Sequence, residues 1–328
     1  MSLAARPPIR PRAHVTARLA LLLGLLAILV LVEAPERTRF WDAFFDAGHA
    51  PLFGLAALLM RRPLATWRPA WTGSRLSWAA FAATLVVGGA TELLQLLQPT
   101  RAASVGDLLR DAAGAGAFLV LRTAWRERET ARGPRTAPHL PGARAALGVA
   151  LLGAVAAPLL LVMAQNAGRN RAFPTLFRLD GSWWERPLVS ADNAEFVPAL
   201  AGRGNAPTSR LARLSLRPGQ YPGLVLDEPY PDWRGCERLT FTVVSELDAP
   251  LTLTIRINDA AHDHRYSDRF NRRLTIEPGE TRIEVPLDEV RRAPRDREMD
   301  MRRIRLIVLY AYRLDRPVTL RLGPVRVE

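Results

Sequence analysis

The sequence contains no lysine, so all 45 of its Lys+Arg residues are arginine, and it has a single cysteine, Cys236. One cysteine excludes an internal disulfide and a cysteine-based metal site, so any outer domain must be held by its core rather than by cross-links. Three further absences bear on activity. The sequence has no Gly-x-Ser-x-Gly nucleophile elbow, no phosphate-binding loop and no dinucleotide fingerprint, which removes the commonest soluble-enzyme readings. Internal repeats are also missing, and the usual transporter plan depends on them.

What is present is unevenly distributed. The 328 residues leave room for about two domains, and the 48% hydrophobic content with a mean hydropathy of -0.01 averages over two unlike halves. Before Gln165 the apolar residues gather into five blocks, at 17–32, 43–60, 76–97, 103–121 and 145–164. At 1.5 Å per residue, each is about long enough to cross about 30 Å of hydrocarbon. The first follows Arg6, Arg10, Arg12 and Arg18 and runs directly into Glu33, Ala34, Pro35 and Glu36. Without a small-residue cleavage site it reads as an uncleaved helix rather than a signal peptide.

The net charge of +13 suggests nucleic acid until its placement is examined. With the N-terminus inside, the inner segments carry fourteen arginines and the outer loops only Arg37, Arg39 and Arg101. This is the bias that orients membrane proteins, so the charge marks a cytoplasmic side and implies no nucleic-acid partner. Five crossings then place everything after Gln165 in the periplasm of a bacterial-type inner membrane. The expected organisation is a basic N-terminus (1–16), a four-helix membrane domain (17–122), a flexible basic loop (123–144), a fifth helix (145–165) and an extracytoplasmic domain (166–328).

That last domain changes character. Segments 239–244, 251–257, 282–285, 304–309 and 318–322 alternate or run apolar with β-branched residues, and the breaks between them hold Pro, Gly, Asp and Asn. Short strands at such spacing predict an all-β, jelly-roll-like sandwich. Pro278-Gly279-Glu280 reads as a hairpin turn between 274–276 and 282–285.

Ionisable residues inside membrane spans are costly and mark functional or structural polar networks. Block two carries Asp46 and His49, block three Glu92 and Gln95, and Arg101, Ser104, Asp107, Asp111 and Gly114 lead through block four. Positions three or four apart share a helix face, and the topology puts all three stripes in the outer half. Asp46, His49, Glu92, Gln95, Arg101, Ser104, Asp107 and Asp111 are therefore candidates for one outward-facing ligand pocket. The alternative is a structural network in which Arg101 or Arg110 pairs with the acids.

The order Asp46-x-x-His49, Glu92-x-x-Gln95, then Arg101-x-x-Ser104-x-x-Asp107-x-x-x-Asp111-x-x-Gly114-x-Gly116 resembles the VanZ-like family of membrane proteins, over about residues 17–121. That family often has Asn where this chain has Asp111. The resemblance implies an envelope role of the kind associated with glycopeptide resistance, and no particular reaction. Residues 173–328 resemble a galactose-binding-like or carbohydrate-binding sandwich, through Trp233-x-x-Cys236-x-x-Leu239-x-Phe241 and Tyr266-x-Asp268-Arg269-Phe270-Asn271. Within it, Trp233, Tyr266, Asp268 and Arg269 are candidate sugar-binding residues, with Trp183, Trp184 and Tyr230 further aromatics.

His262-Asp263-His264 lacks an evident third ligand, so no metal and no cofactor is expected. The partners expected are membrane lipids and an envelope glycan or lipid-linked precursor. The leading reading is a binding protein, with a membrane-embedded acid/base enzyme using His49 and Asp46 or Glu92, or a simple anchored sensor, as alternatives.

Overall fold

The computed structural model describes residues 34–95, 104–130, 139–199 and 211–328 with scattered positions between 17 and 32, and leaves out the side chains of 94–95 and 139–140. The chain divides into two units, Met1–Val162 and Met163–Glu328.

The first unit is helical. Helix α1, Arg39–Trp67, begins after Thr38, whose extended backbone and Oγ1, accepting from Trp41 N at 3.3 Å, form an N-cap. Helices α2 (Gly73–Gln95), α3 (Val105–Thr130) and α4 (His139–Ala172) follow. Among the described residues, three helical stretches are long and apolar enough to cross a membrane: Arg39–Trp67, Gly73–Leu93 and Pro141–Ala172. The sequence led us to expect five. The first, at 17–32, lies largely outside the described residues, and α3 carries Asp107, Arg110 and Asp111 in its first two turns. The expected loop at 123–144 is largely helix: α3 continues to Thr130 and α4 starts at His139. Arg-rich sequence lowers the apolarity of these ends without breaking the helix, because Arg is itself a good helix former.

Small residues let α1 and α3 approach closely. A Cβ on Gly114 would stand 2.5 Å from Ala50 Cα, and Gly54 faces the Phe118 ring directly. Ala57, Ala115 and Leu119 fill the seam beside them. Aromatic rings gather at both ends of α1. Phe40, Trp41, Phe44 and Phe45 pack on one another at its start. At the other end Trp67, Trp78 and Trp125 are each about two-thirds exposed. Trp41 and Trp67 lie about 39 Å apart along the helix, close to the thickness of a bilayer with its headgroups, where aromatic belts form.

The second unit is a β-sandwich. Its seven-stranded sheet runs β1 (Thr175–Phe177), β12 (Val325–Val327), β6 (Arg238–Ser245), β11 (Val318–Leu322), β4 (Ala212–Leu216), β3 (Ala194–Val197), with β9 (Gly279–Pro286) also on β6. Its five-stranded sheet runs β2 (Val189–Asp192), β5 (Gly223–Asp227), β10 (Ile304–Tyr310), β7 (Leu251–Asp259), β8 (Phe270–Ile276). Alternation along the strands builds the core: Leu239, Phe241 and Val243 from one sheet face Leu253, Ile255 and Ile257 from the other, all buried. Each is worth about 2 kcal/mol against exposure.

The turn at Pro278-Gly279-Glu280 is not a hairpin. Strand β8 pairs with β7 and β9 pairs with β6, so the chain crosses between sheets there. Gly279, at φ +86°, supplies the left-handed backbone that this change of sheet requires. Both flanking segments alternate correctly for a strand, and alternation alone does not say which sheet a strand joins. Within the second unit, Gly168 of α4 lies against Trp184, where a Cβ would come within 2.9 Å of the ring, and Arg169 Nη1 donates to Glu228 O at 3.1 Å.

Candidate functional site

In the helical unit, three polar groupings form among α1, α2 and α3. His49 Nδ1 meets Asp111 Oδ1 at 2.8 Å, with both residues buried. Arg110 bridges the other two acids, reaching Asp46 Oδ2 at 2.7 Å and Asp107 Oδ1 at 2.5 Å. Glu92 Oε2 accepts from the Ser104 backbone N at 2.9 Å, so Ser104 contributes its amide to α2. His49 also stacks on Phe53, centroids 6.1 Å apart and rings 4° from parallel, which fixes its plane.

The partner of His49 is Asp111, not Asp46 or Glu92 as the sequence suggested. The reason is depth: Asp111 sits one turn below Asp107, level with His49, where Gly114 brings α3 against Ala50. Among the described residues Asp111 Oδ2 is buried without a hydrogen-bond partner, and it points at Gly88 of α2, where a Cβ would stand 2.7 Å away. Arg101 and the Gln95 side chain lie outside the described residues. Arg110 was foreseen only as a structural partner, yet it stands three positions after Asp107 on the same stripe. Among the described residues these groupings hold four carboxylates, Asp46, Glu92, Asp107 and Asp111, and one guanidinium, which pairs with Asp46 and Asp107. Such a field favours amines and hydroxyls over phosphate.

In the sandwich, the predicted residues separate. Trp233 is 1% exposed and donates Nε1 to Tyr230 O at 2.7 Å, so it belongs to the core and offers no platform for a sugar. Trp184 is buried likewise, and Tyr230 packs on Phe173 with centroids 4.4 Å apart. Asp268 is committed: Arg297 Nε donates to its Oδ1 at 2.6 Å and also grips Asp259 at 2.6 and 2.8 Å. The Arg297 hydrogen bonds hold the Asp268 carboxyl down at about 2. Tyr266 is 70% exposed, with the Arg269 guanidinium 5.0 Å from its ring centroid.

His262, Asp263 and Asp268 bring ligand atoms within 4.8 Å of one another, a spacing that suits a metal ion. Their donors are already engaged. His262 Nδ1 bonds Asp268 O at 2.8 Å and its Nε2 lies 3.2 Å from Arg256 Nη2. An ion would have to displace both contacts and Arg297.

The sequence reading passed over the outer face of the five-stranded sheet. Two rows cross it from edge to edge. One contains Ser190, Val225, Val308, Arg256 and Asn271, and the other Asp192, Gly223, Tyr310, Thr254 and Arg273. Tyr310 lies 5.8 Å from Tyr221, which lies 5.5 Å from Tyr312; the latter two are half exposed. Gly223 keeps the neighbouring position clear, because a Cβ there would come within 2.7 Å of Tyr310 Cβ. On and beside this face, Arg256 Nε, Asn258 Oδ1, Arg269 Nε and Asn271 Oδ1 are buried without partners among the described residues. Burial and the neighbouring Arg269 lower the pKa of the Arg256 guanidinium. The signal was available in part: Thr254 and Arg256 alternate with the core residues Leu253, Ile255 and Ile257, and Asn271 and Arg273 lie between the core residues Phe270 and Leu274.

No family model matches the chain, and no curated protein matches it. Among solved structures, it is similar to the family 11 carbohydrate-binding module from Clostridium thermocellum in complex with a beta-1,3-1,4-mixed-linked tetrasaccharide, at 14% identity and TM-score 0.33, covering 43% of this chain and 88% of that one. It is also similar to an exo-beta-agarase, at 18% identity and TM-score 0.35, covering 47% of this chain and 24% of that one. A family 30 carbohydrate-binding module of a Clostridium thermocellum cellulase follows at 11% identity and TM-score 0.29, covering 42% of this chain and 82% of that one. The carbohydrate-binding modules match the C-terminal part of this chain.

Proposed function

We propose that this chain is an integral protein of a bacterial-type envelope membrane whose periplasmic sandwich binds a glycan on the outer face of its five-stranded sheet. The observation that carries this reading is the coincidence, on and beside one face, of four polar atoms buried without partners among the described residues with the Tyr221, Tyr310 and Tyr312 cluster. An unsatisfied buried polar group costs about 1–3 kcal/mol, and sugar hydroxyls supply both donors and acceptors to such groups. Tyrosine rings offer an apolar surface to the C–H face of a pyranose together with a polar edge. The test is calorimetric titration of the full chain in nanodiscs with soluble β-glucans and peptidoglycan fragments. Tyr310→Ala and Arg256→Ala are each expected to weaken binding of the responding glycan at least ten-fold. Unchanged affinity in both variants refutes the assignment of this face.

The same proposal gives the helical unit a VanZ-like role. The polar groups of α1, α2 and α3 bind a polyol or amine portion of an envelope lipid or glycan from the outer side, with the N-terminus cytoplasmic. Support comes from the neighbouring groupings of Arg110 with Asp46 and Asp107, His49 with Asp111, and Glu92 with the Ser104 amide, and from the excess of carboxylates over guanidinium among the described residues there. One observation favours an enzymatic version. Asp111 holds His49 through Nδ1 and leaves Nε2 as the nitrogen able to act as a base. An activity on envelope lipids that vanishes in His49→Gln and persists in Tyr310→Ala would select that version, and binding without turnover would reject it.

A further inference from the structure

The opposite end of the helical unit carries a second arrangement of charge, independent of the carboxylates. Arg61 and Arg62 lie in the last two turns of α1, and the register that sets Ala50 against Gly114 and Gly54 against Phe118 carries Arg122 and Arg126 of α3 to the same level. Arg61 is tied down: its Nε donates to Ser77 Oγ at 3.3 Å and its Nη2 to Gly73 O at 3.2 Å, both on α2. The acids nearby are committed elsewhere. Glu127 pairs with Arg144 of α4, and Glu129 accepts from Trp125 Nε1 at 2.8 Å. Arg62, Arg122 and Arg126 have no acidic partner among the described residues. Arg122 and Arg126 also stand one turn apart on one helix, a like-charge spacing that destabilises a helix unless an anion relieves it.

Two further facts give the anion a location. Trp67, Trp78 and Trp125 stand exposed at this same end, at the level where tryptophans meet lipid headgroups. Arg62 and Arg126 are exposed while Arg122 is half-buried, so the cluster opens outward at its rim and is lined by helix at its base. Guanidinium groups bind phosphate oxygens in pairs, with geometry that an ammonium does not match. Basic clusters between membrane helices on the cytoplasmic side suit anionic headgroups.

We infer that Arg62, Arg122 and Arg126 form a binding site for the phosphate of an anionic phospholipid where α1 and α3 end together. The inference rests on the membrane reading above, and the test separates the two. Membranes carrying the full chain are first washed with alkaline carbonate; release of the chain would overturn the membrane reading and this inference with it. The retained chain is then examined by native mass spectrometry in micelles doped with phosphatidylglycerol or phosphatidylcholine.

Wild type is expected to keep one phosphatidylglycerol with at least ten-fold preference over phosphatidylcholine. Arg122→Gln/Arg126→Gln is expected to lose that preference, while Arg75→Gln/Arg128→Gln, which removes equal charge from the same end, keeps it. Equal loss in both double variants would reduce the effect to unspecific surface charge and overturn the site. Displacement of the lipid from wild type by inorganic phosphate at equal concentration would make the ligand a free phosphate and overturn the lipid assignment.

Discussion

Glu185 allows a sharp test of how the sandwich is held. Its side chain is buried at 1% exposure; Oε2 accepts from Arg178 N at 2.8 Å, and Oε1 has no partner. Burial pushes its carboxyl up to about 7 from an ordinary 4.5, against the pull of the Arg178 amide and with a further push from Asp180. Below pH 4.5 the group is neutral whether the chain is folded or not. Between 4.5 and about 7 the unfolded chain ionises while the fold keeps the proton, so the folded state binds more protons and stability falls as pH rises. At about 1.4 kcal/mol per pH unit the interval amounts to about 3 kcal/mol, fully lost above pH 7. Glu185→Gln keeps an acceptor for Arg178 N and removes the titration. Hydrogen exchange of the amides in β1 and β2 of the full chain in detergent, corrected for intrinsic rates, gives the opening free energy at pH 5 and pH 8. Wild type should lose about 3 kcal/mol between the two and the variant almost none; parallel behaviour of wild type and variant refutes the reasoning.

Two other outcomes follow from contacts already described. Arg297→Met strips the partner from Asp259, whose side chain is fully buried, and leaves a buried charge unpaired. The expected cost is about 3–5 kcal/mol, measured as a fall in the urea midpoint at neutral pH. Because the Asp268 carboxyl is held down at about 2, that residue's share of the wild-type stabilisation is present above pH 4 and lost as pH falls through 2. Gly114→Leu drives a side chain into the Ala50 backbone and should separate α1 from α3. The expected sign is loss of a cysteine cross-link engineered between positions 54 and 118, which face each other across the seam, in a Cys236→Ser background; an undiminished cross-link would show that the seam tolerates the bulk.

Strand positions were legible because alternation is a local property: 318–322 coincides with β11 and 304–309 falls one residue short of β10. Sheet membership was not legible, since the choice that β9 makes between β8 and β6 depends on a residue, Gly279, whose backbone angle is invisible in a composition of turn formers. In the helices, the spacing of Asp46, His49, Asp107 and Asp111 gave the stripes but not their pairing. Which carboxylate faces His49 depends on how deep Gly114 lets α3 settle. On the sandwich, Trp233 stands out in the sequence as an aromatic beside a strand, while Arg256 and Asn271 do not, because their meaning lies in being neighbours of each other across two strands, and they lie 54 and 39 residues of sequence from Tyr310. Polar residues on a sheet face are unremarkable singly and informative only as a row.

The two aromatic collars of α1 have a consequence for where such a protein can work. On the proposed membrane placement, their separation of about 39 Å along the helix would set a preferred bilayer thickness, and a thinner bilayer would be met by tilting the helix. Pro51 and Pro63 divide α1, so tilt is taken up unevenly along its length. The residue adjoining the first of these prolines is Ala50, the one in closest register with Gly114, and the next is His49 with its bond to Asp111. On that placement, a change in tilt at Pro51 would fall on the stretch of helix that holds the imidazole against Asp111.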